Sequence, residues 1–174
     1  MYSFLTVNSQ SNFHFLRKTF DKSNYSNHSE HNSGNSNLVK TISKDRLEHS
    51  NKGEYTEHNR PKSGGHGQDS IDYMERNNIP YEITKEYNNG VRVGNLPTST
   101  NKIFQTGDNH TWFPKTWTSE DIADAANYVL STHKGARIPR TSCSAVYKGV
   151  RVTITFGEGG TISTTFPSKD QGGL

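Results

Sequence analysis

The chain has 174 residues, and its 20 Lys and Arg against 17 Asp and Glu give a formal net charge of +3, which permits an anionic partner without requiring one. Only 29% of the residues are hydrophobic, so either the fold is small or part of the chain does not fold. No apolar run approaches the ~20 residues that cross a bilayer, which excludes a transmembrane helix, and a lone cysteine, Cys143, excludes a disulfide scaffold and a cysteine-based zinc cluster.

The N-terminal part of the chain is polar and repetitive in composition. Residues 1–44 are dominated by Asn, Ser, Lys and His, and the stretch 21–37 has no aliphatic side chain. Such a segment cannot bury enough apolar surface to offset its chain entropy. We therefore expect a disordered tract over 1–44, no secretory signal peptide, and one folded domain over 45–174.

The first periodic patterns of the domain are a short helix and a hairpin. Residues 68–77 read as a helix in which Ile71 and Met74 share one apolar face. Residues 81–84 and 90–94 alternate apolar and polar side chains, and Asn89-Gly90 between them is a strong hairpin signal. A hairpin is therefore expected to follow the helix directly.

The second half of the domain repeats this order. Thr118 is placed to cap the clearest helix, with Asp121 answering as the third helical residue. Residues 147–156 alternate as a strand, a glycine-rich turn follows, and residues 161–166 return as its partner before Pro167. The order helix, hairpin, helix, hairpin predicts an α+β fold with small antiparallel sheets and two helices.

Histidines near glycine and acidic residues are the first candidates for chemistry. His66 stands in the glycine bracket 64–67 just before a predicted helix, whose N-terminus suits a phosphate. His49 and His58 lie upstream, each directly after a glutamate. Two histidines and a lysine suit metal-free, cofactor-free ribonuclease chemistry, in which one histidine deprotonates a 2′-hydroxyl and the other protonates the leaving oxygen. The alternative is that these histidines belong to turns or continue the His-rich tract.

Two tryptophans flank a proline in the segment 112–117, just before the main helix. Core packing is the ordinary explanation of such a segment. Stacking on nucleic-acid bases is the functional alternative.

Taken in order, these pieces resemble the bacterial EndoU nucleases, toxin domains at the C-termini of polymorphic and contact-dependent toxins that are related to the uridylate-specific endoribonuclease of coronaviruses. The motifs of that family are, in chain order, Glu-His-x-x-x-Gly-Asp/Glu, Gly-Gly-(x)-His, a lysine, Ser/Thr-aromatic-Phe-Pro before a helix, and a final strand that ends in Thr-x-Tyr-Pro. The matching segments of this chain are Glu48-His49-x-x-x-Gly53-Glu54, Gly64-Gly65-His66, Lys102, Thr111-Trp-Phe-Pro114 and Thr164-Thr165-Phe166-Pro167. The resemblance spans about residues 47–170.

This resemblance implies a catalytic domain like those of EndoU and RNase A. It implies that His49 and His66 are the acid–base pair and Lys102 the catalytic lysine. Thr164 and Phe166 would hold the base and ribose, and Thr111 is a further substrate-binding candidate.

The resemblance also implies an activity and a biological setting. The activity is RNA cleavage, often at uridines, that leaves a 2′,3′-cyclic phosphate. The setting is an antibacterial toxin effector that is secreted or delivered into the target-cell cytoplasm, with a cognate immunity protein as partner.

Three departures from the family pattern leave alternatives open. The residues after His49 are polar where the family usually has apolar ones, so His58 is a rival for the first histidine. Lys102 lies far before the Thr-Trp-Phe-Pro segment, so Lys115 is a rival lysine. Phe166 replaces the usual tyrosine and cannot donate a hydrogen bond, so we expect a relaxed preference for uridine.

Two other classes of protein remain as alternatives. The first is an inactive EndoU-like domain that binds RNA or a partner without turnover. The second is a metal-binding protein with an unrelated fold, which the six histidines up to His66 favour weakly because they lack regular zinc spacings.

Overall fold

The computed structural model describes residues 41–97 and 109–172. Within them the elements are, in chain order, α1 (Lys44–Asn51), β1 (Glu54–Tyr55), β2 (Pro61–Ser63), α2 (Gln68–Arg76), β3 (Glu82–Glu86), β4 (Arg92–Asn95), β5 (His110–Trp112), α3 (Ser119–Thr132), β6 (Ser142–Tyr147), β7 (Val150–Phe156), a 3₁₀ turn (Glu158–Gly160) and β8 (Ile162–Pro167). The described helices are all too short or too polar to cross a bilayer.

The strands of this region form three small antiparallel sheets. β1 pairs with β2, the second sheet has the order β3-β4-β5, and the third has the order β6-β7-β8. The expected α+β class with small antiparallel sheets is confirmed. The described residues contain three helices rather than the two that were predicted, because α1 was not foreseen.

The main hydrophobic core lies between α3 and one face of the third sheet. α3 starts with the predicted capping box, in which the Thr118 side chain accepts from the Asp121 backbone N–H and the Asp121 side chain accepts from the Thr118 backbone. The buried side chains of α3 and β7 that meet there are Ile122, Ala125, Ala126, Val129, Leu130, Val150, Val152, Ile154 and Phe156. Because side chains alternate between the two faces of a sheet, the residues on the opposite face of β7 and β8 lie outside this core.

A second, smaller core is built by α2 and β5. Ile71 and Met74, the predicted apolar face of α2, pack with Ile79 and the fully buried Trp112. Phe113 is also fully buried, in the main core. The core-packing interpretation of the Trp-Phe-Pro segment is therefore confirmed for Trp112, whose ring is not accessible to a nucleic-acid base.

The first hairpin and the last strand pair agree with the sequence pattern, but one strand was missed. β3 and β4 pair across the Asn89-Gly90 turn, and β7 pairs with β8 up to Pro167. Residues 147–156, predicted as one strand, are divided at Lys148-Gly149, whose φ angles of 47° and 75° make a tight hairpin turn. β6 precedes this turn and adds a third strand to the sheet.

α1 lies in a stretch that the sequence pattern left without structure. Ser43 caps the helix by accepting from the backbone N–H of Arg46, and α1 buries the polar residues Ser50 and Asn51 instead of an apolar stripe. Ile42 is only 9% exposed and packs in the main core, so the folded part includes residues ahead of the predicted boundary at 45. Most of the tract that was expected to be disordered, residues 1–40, lies outside the described residues.

Two buried hydroxyl groups join α1, β5 and β8. Ser50 Oγ accepts a hydrogen bond from the backbone N–H of Thr165 at 3.0 Å and donates to the carbonyl of Arg46 at 2.8 Å. Thr111 Oγ1 donates to the carbonyl of Pro167 at 2.8 Å. These bonds satisfy polar groups inside the fold and hold the end of α1 and the start of β5 against the same strand.

Candidate active site

A cleft of about 390 Å³ opens where α1, the loop before α2, β5 and β8 meet. Its lining residues are His49, Ser63, Gly64, His66, Asn109, His110, Thr111, Thr164, Phe166 and Lys169. Five of the predicted site residues therefore come together at one cleft although they lie far apart in sequence.

The glycine bracket before α2 is bonded directly to the last turn of α1. The backbone N–H groups of residues 65, 66 and 67 donate to the carbonyls of residues 49, 50 and 51 at 2.9, 2.6 and 2.8 Å. Gly64 has a φ of 69°, and a Cβ there would collide with the carbonyl oxygen of His49. A Cβ at Gly67 would collide with the side-chain oxygen of Asn51. Only glycine allows this close approach, which places His66 beside His49.

His66 is held by β5 so that one ring nitrogen is left for the cleft. Its Nδ1 lies 2.8 Å from the carbonyl oxygen of Thr111, which can only accept, so Nδ1 carries the proton. Its backbone carbonyl accepts from the Phe113 N–H at 2.7 Å. Burial and the nearby His110 keep the pKa of His66 well below its ordinary value, against the opposing effect of the Thr111 hydrogen bond. His66 is therefore neutral at pH 7, with Nε2 free to accept a proton.

His49 is oriented by a carboxylate instead. Its Nδ1 lies 3.0 Å from Glu54 Oε1, and the His49 side chain is 15% exposed. Ser63 Oγ donates to the other oxygen of Glu54 at 3.1 Å. The hydrogen bonds from His49 and Ser63 lower the pKa of Glu54, so this side chain is a carboxylate at pH 7. The carboxylate fixes the His49 ring, balances its charge when it is protonated, and leaves Nε2 for the cleft.

Thr164 and Phe166 lie on the face of β8 that is turned away from the α3 core. Thr164 pairs with Thr155 of β7, and Phe166 pairs with Thr153. The Phe166 ring lies 5.4 Å from the His66 ring with a tilt of 36°. A hydroxyl and an aromatic ring on one face of β8 therefore line the cleft together with His66.

Thr111 has a structural role at the border of the cleft. It is only 7% exposed, and its hydroxyl donates to the carbonyl of Pro167. Its own carbonyl oxygen contacts Nδ1 of His66. Thr111 therefore joins β5, β8 and His66, and its role in substrate binding stays a prediction.

The structure also separates the rival residues. His58 is 75% exposed in the β1–β2 connection, where it pairs with Glu57 at 3.4 Å, and it does not line the cleft. Lys115 is exposed in the turn before α3 and does not line the cleft either. His49 is therefore the first histidine of the cleft. The predicted lysine, Lys102, lies outside the described residues.

Four residues of the cleft lining were not indicated by the sequence patterns, and two of them, His110 and Lys169, have ionisable side chains. His110 stands directly before the Thr111-Trp-Phe-Pro segment, and Lys169 lies two residues after Pro167. The sequence feature that could have indicated these two residues is that each lies next to a motif of the family. Among the residues that the structure describes, no group of three or more His, Cys, Asp or Glu side chains is arranged to hold a metal ion.

The family model described as bacterial EndoU nuclease matches residues 43–169 of the chain. This range is more than half of the sequence and contains every described residue that lines the cleft. No curated protein and no solved structure matches the chain.

The close approach of the glycine loop to α1 predicts the effect of Gly64→Ala. Alanine at this φ costs about 1 kcal/mol or more, and the collision with the His49 carbonyl adds to that cost. We expect a loss of roughly 2–4 kcal/mol in the free energy of unfolding, measured by urea denaturation.

Gly149→Ala is the matched control for this substitution. Gly149 has a φ of 75°, but no atom lies within 4 Å of the position that a Cβ would take, so it carries only the backbone cost. Equal destabilisation of the two variants would mean that contact with α1 does not constrain the loop.

The low pKa of His66 predicts that stability falls as the pH is lowered below about 6.5. The unfolded chain protonates this histidine near its ordinary pKa, whereas the folded protein does not, so protons favour the unfolded state. The pKa values of Glu54 and Asp121 are lowered, which puts their protonation below this range. Between pH 6 and 5 we expect His66 to contribute a slope approaching about 1.4 kcal/mol per pH unit.

Urea denaturation at a series of pH values measures this slope. His66→Gln should reduce this slope by the contribution expected of His66, about 1.4 kcal/mol per pH unit at most. His58→Gln, at an exposed position, should leave the slope unchanged. A wild-type slope in His66→Gln would contradict the assignment of a neutral, half-buried His66.

Proposed function

Because the chain belongs to the bacterial EndoU nuclease family, we propose that it is an endoribonuclease that needs no metal ion and cleaves RNA through the ribose 2′-hydroxyl. Nuclease activity is what membership of the family implies. The observation that carries the finer proposal is the pair of cleft histidines, His49 and His66. Each has Nδ1 occupied by an acceptor, the Glu54 carboxylate or the Thr111 carbonyl, so each offers Nε2 to a substrate.

His66 is the general base in this proposal. Its neutral ring takes the proton of the 2′-hydroxyl on Nε2, and the 2′-oxygen forms a bond to the adjacent phosphorus. The low pKa of His66 keeps the base form populated at neutral pH. The Thr111 hydrogen bond supports the charge that the ring gains when it accepts the proton.

His49 is the general acid. Its protonated ring gives a proton to the leaving 5′-oxygen as the bond from phosphorus to that oxygen breaks. The products are a 2′,3′-cyclic phosphate and a 5′-hydroxyl end, so the atoms balance without water or a cofactor. The Glu54 carboxylate at 3.0 Å supports the positive charge of the ring before the transfer.

A cation is expected to balance the negative charge that develops on the phosphate oxygens. Lys169 lines the cleft with both histidines and is the candidate that the described residues offer. Lys102 is the candidate that the family resemblance offers.

The base of the nucleotide is expected to lie against β8. The Thr164 hydroxyl can bond to a base edge or a ribose, and the Phe166 ring can stack on it. Since Phe166 has no hydroxyl, cleavage should favour uridine less strongly than a tyrosine-bearing site would.

We further propose that this nuclease acts as an antibacterial toxin effector. It would be delivered into the cytoplasm of a target cell and neutralised in the producer by an immunity protein. The support for this part is the resemblance to toxin domains, and the test is growth arrest on cytoplasmic expression that depends on His66 and is relieved by co-expression of the cognate immunity protein.

The first prediction from this mechanism concerns the two histidines. In excess EDTA the protein should cleave an RNA oligonucleotide that contains one uridine, leave cyclic-phosphate ends by mass, and leave an all-deoxy analogue intact. His49→Ala and His66→Ala should each lower kcat by about a hundredfold to ten-thousandfold. The exposed His58→Ala is the matched control and should retain wild-type cleavage.

Three outcomes would contradict this mechanism in different ways. RNA binding without cleavage by the wild type would favour the inactive binding domain. Cleavage that requires an added divalent metal would overturn the two-histidine mechanism. Loss of activity in His58→Ala would move the acid to that residue.

The second prediction concerns the cation in the cleft. Lys169→Ala should lower kcat/KM by about tenfold to a hundredfold, because a charge near the phosphate is lost. Lys115→Ala, at an exposed turn outside the cleft, should have no effect on the same assay. Wild-type activity in Lys169→Ala would assign the phosphate contact to a lysine other than Lys169.

A further inference from the structure

His110, the first residue of β5, lies in the cleft but takes no part in the proposed proton transfers. Its ring is stacked on the ring of His66, with centroids 4.4 Å apart and planes within 5° of parallel. It also contacts the ring of Trp112 at 4.6 Å. Since Trp112 is fully buried, His110 connects the catalytic candidate His66 to the rigid interior of the fold.

His110 also holds the backbone that carries His66. Its Nε2 lies 2.9 Å from the carbonyl oxygen of Gly65, so this nitrogen carries the ring proton and donates it. Gly65 has a φ of 79° and stands in the loop that is bonded to α1. One side chain thus fixes both the residue before His66 and the plane of the His66 ring.

Two residues of β5 and the residue that follows the strand hold different parts of His66. His110 covers one face of the ring, the Thr111 carbonyl binds Nδ1, and the Phe113 N–H binds the backbone carbonyl. With Phe166 on the cleft side at 5.4 Å, the ring has little freedom to rotate. The remaining nitrogen, Nε2, is the part of the ring left for a substrate.

We infer that His110 is a positioning residue that holds the His66 imidazole in a single orientation and tautomer, with Nε2 presented to the cleft. This inference rests on the proposed function for its catalytic consequence, but its structural content does not. A general base must be placed within a fraction of an ångström of the proton it takes, so a loosened ring lowers the rate of the chemical step more than it weakens substrate binding.

The charges around the two stacked rings agree with this assignment. Burial lowers the pKa of His110 to about 4, so it is uncharged at neutral pH, and its proximity helps to lower the pKa of His66. The other ionisable groups near this pair are His49 with Glu54, Lys169, which also lines the cleft, and Tyr81, whose ring contacts Trp112. Among the described residues, the rings in contact with His66 are those of His110 and Phe166, so none of these other groups makes the contact that His110 makes.

Two substitutions separate the two contacts of His110. His110→Phe keeps a ring over His66 but loses the hydrogen bond to Gly65, whereas His110→Gln keeps a donor for Gly65 but loses the ring. In the RNA cleavage assay we expect each to lower kcat by about tenfold or more with less than about a threefold change in KM. The acid limb of the kcat/KM profile should move to higher pH, because a less confined His66 is protonated more easily.

His133 provides the matched control. Its ring also packs against another ring, that of Phe156, with centroids 5.1 Å apart and a tilt of 46°, but it lies at the C-terminal end of α3 outside the cleft. His133→Phe and His133→Gln should leave kcat, KM and the pH profile unchanged.

A direct titration keeps the inference testable whether or not RNA is cleaved. Imidazole ¹⁵N and ¹³C chemical shifts of the wild type should show His66 as the Nδ1–H tautomer at pH 7, and its titration midpoint should rise in both His110 variants. An Nε2–H tautomer in the wild type, or midpoints and acid limbs that do not move while only thermal stability falls, would overturn the positioning role. If the wild type lacks ribonuclease activity but the titration behaves as expected, the proposed function fails and the positioning of His66 by His110 stands.

Discussion

The site depends on three backbone hydrogen bonds between the end of α1 and the loop of residues 64–67. They pair the carbonyls of residues 49–51 with successive N–H groups of the loop, so His49 and His66 are registered against one another by the main chain. The pairing is possible because Gly64 and Gly67 have no Cβ to strike the carbonyl of His49 or the side chain of Asn51. The β1–β2 pair lies between the two paired segments and supplies Glu54, the partner of His49.

The two histidines have different environments although they are the same residue type. Burial and the nearby His110 lower the pKa of His66, and the hydrogen bond to the Thr111 carbonyl opposes this effect only in part. His49 lies against the Glu54 carboxylate, whose oxygen is 3.0 Å from Nδ1 of its ring. One imidazole bonded to a neutral carbonyl and one bonded to a carboxylate is the pairing that the proposed acid–base cleavage uses, and tertiary contacts rather than residue identity create the difference.

The elements that the sequence predicted are those in which local interactions decide the structure. The capping box at Thr118 and the apolar stripe behind it define α3, Asn89-Gly90 defines the first hairpin turn, and the alternation after Val150 defines β7 and β8. α1 was missed because it buries Ser50 and Asn51, which carry no apolar periodicity. The hairpin of β6 and β7 was missed because Lys148 adopts a positive φ that is uncommon outside glycine.

The sequence by itself determined the α+β class, the histidines and lysines available as candidates for catalysis, and the order of the motifs. Each of these depends only on residues that are close together in the chain. Only the tertiary structure decided which side chains share the cleft. His49 and its rival His58 both follow a glutamate in the sequence, yet one lines the cleft and the other faces solvent. Thr111 became a structural link, and His110 became a neighbour of His66, through contacts between segments far apart in the chain. Such contacts depend on how helices and sheets pack, which no local pattern specifies.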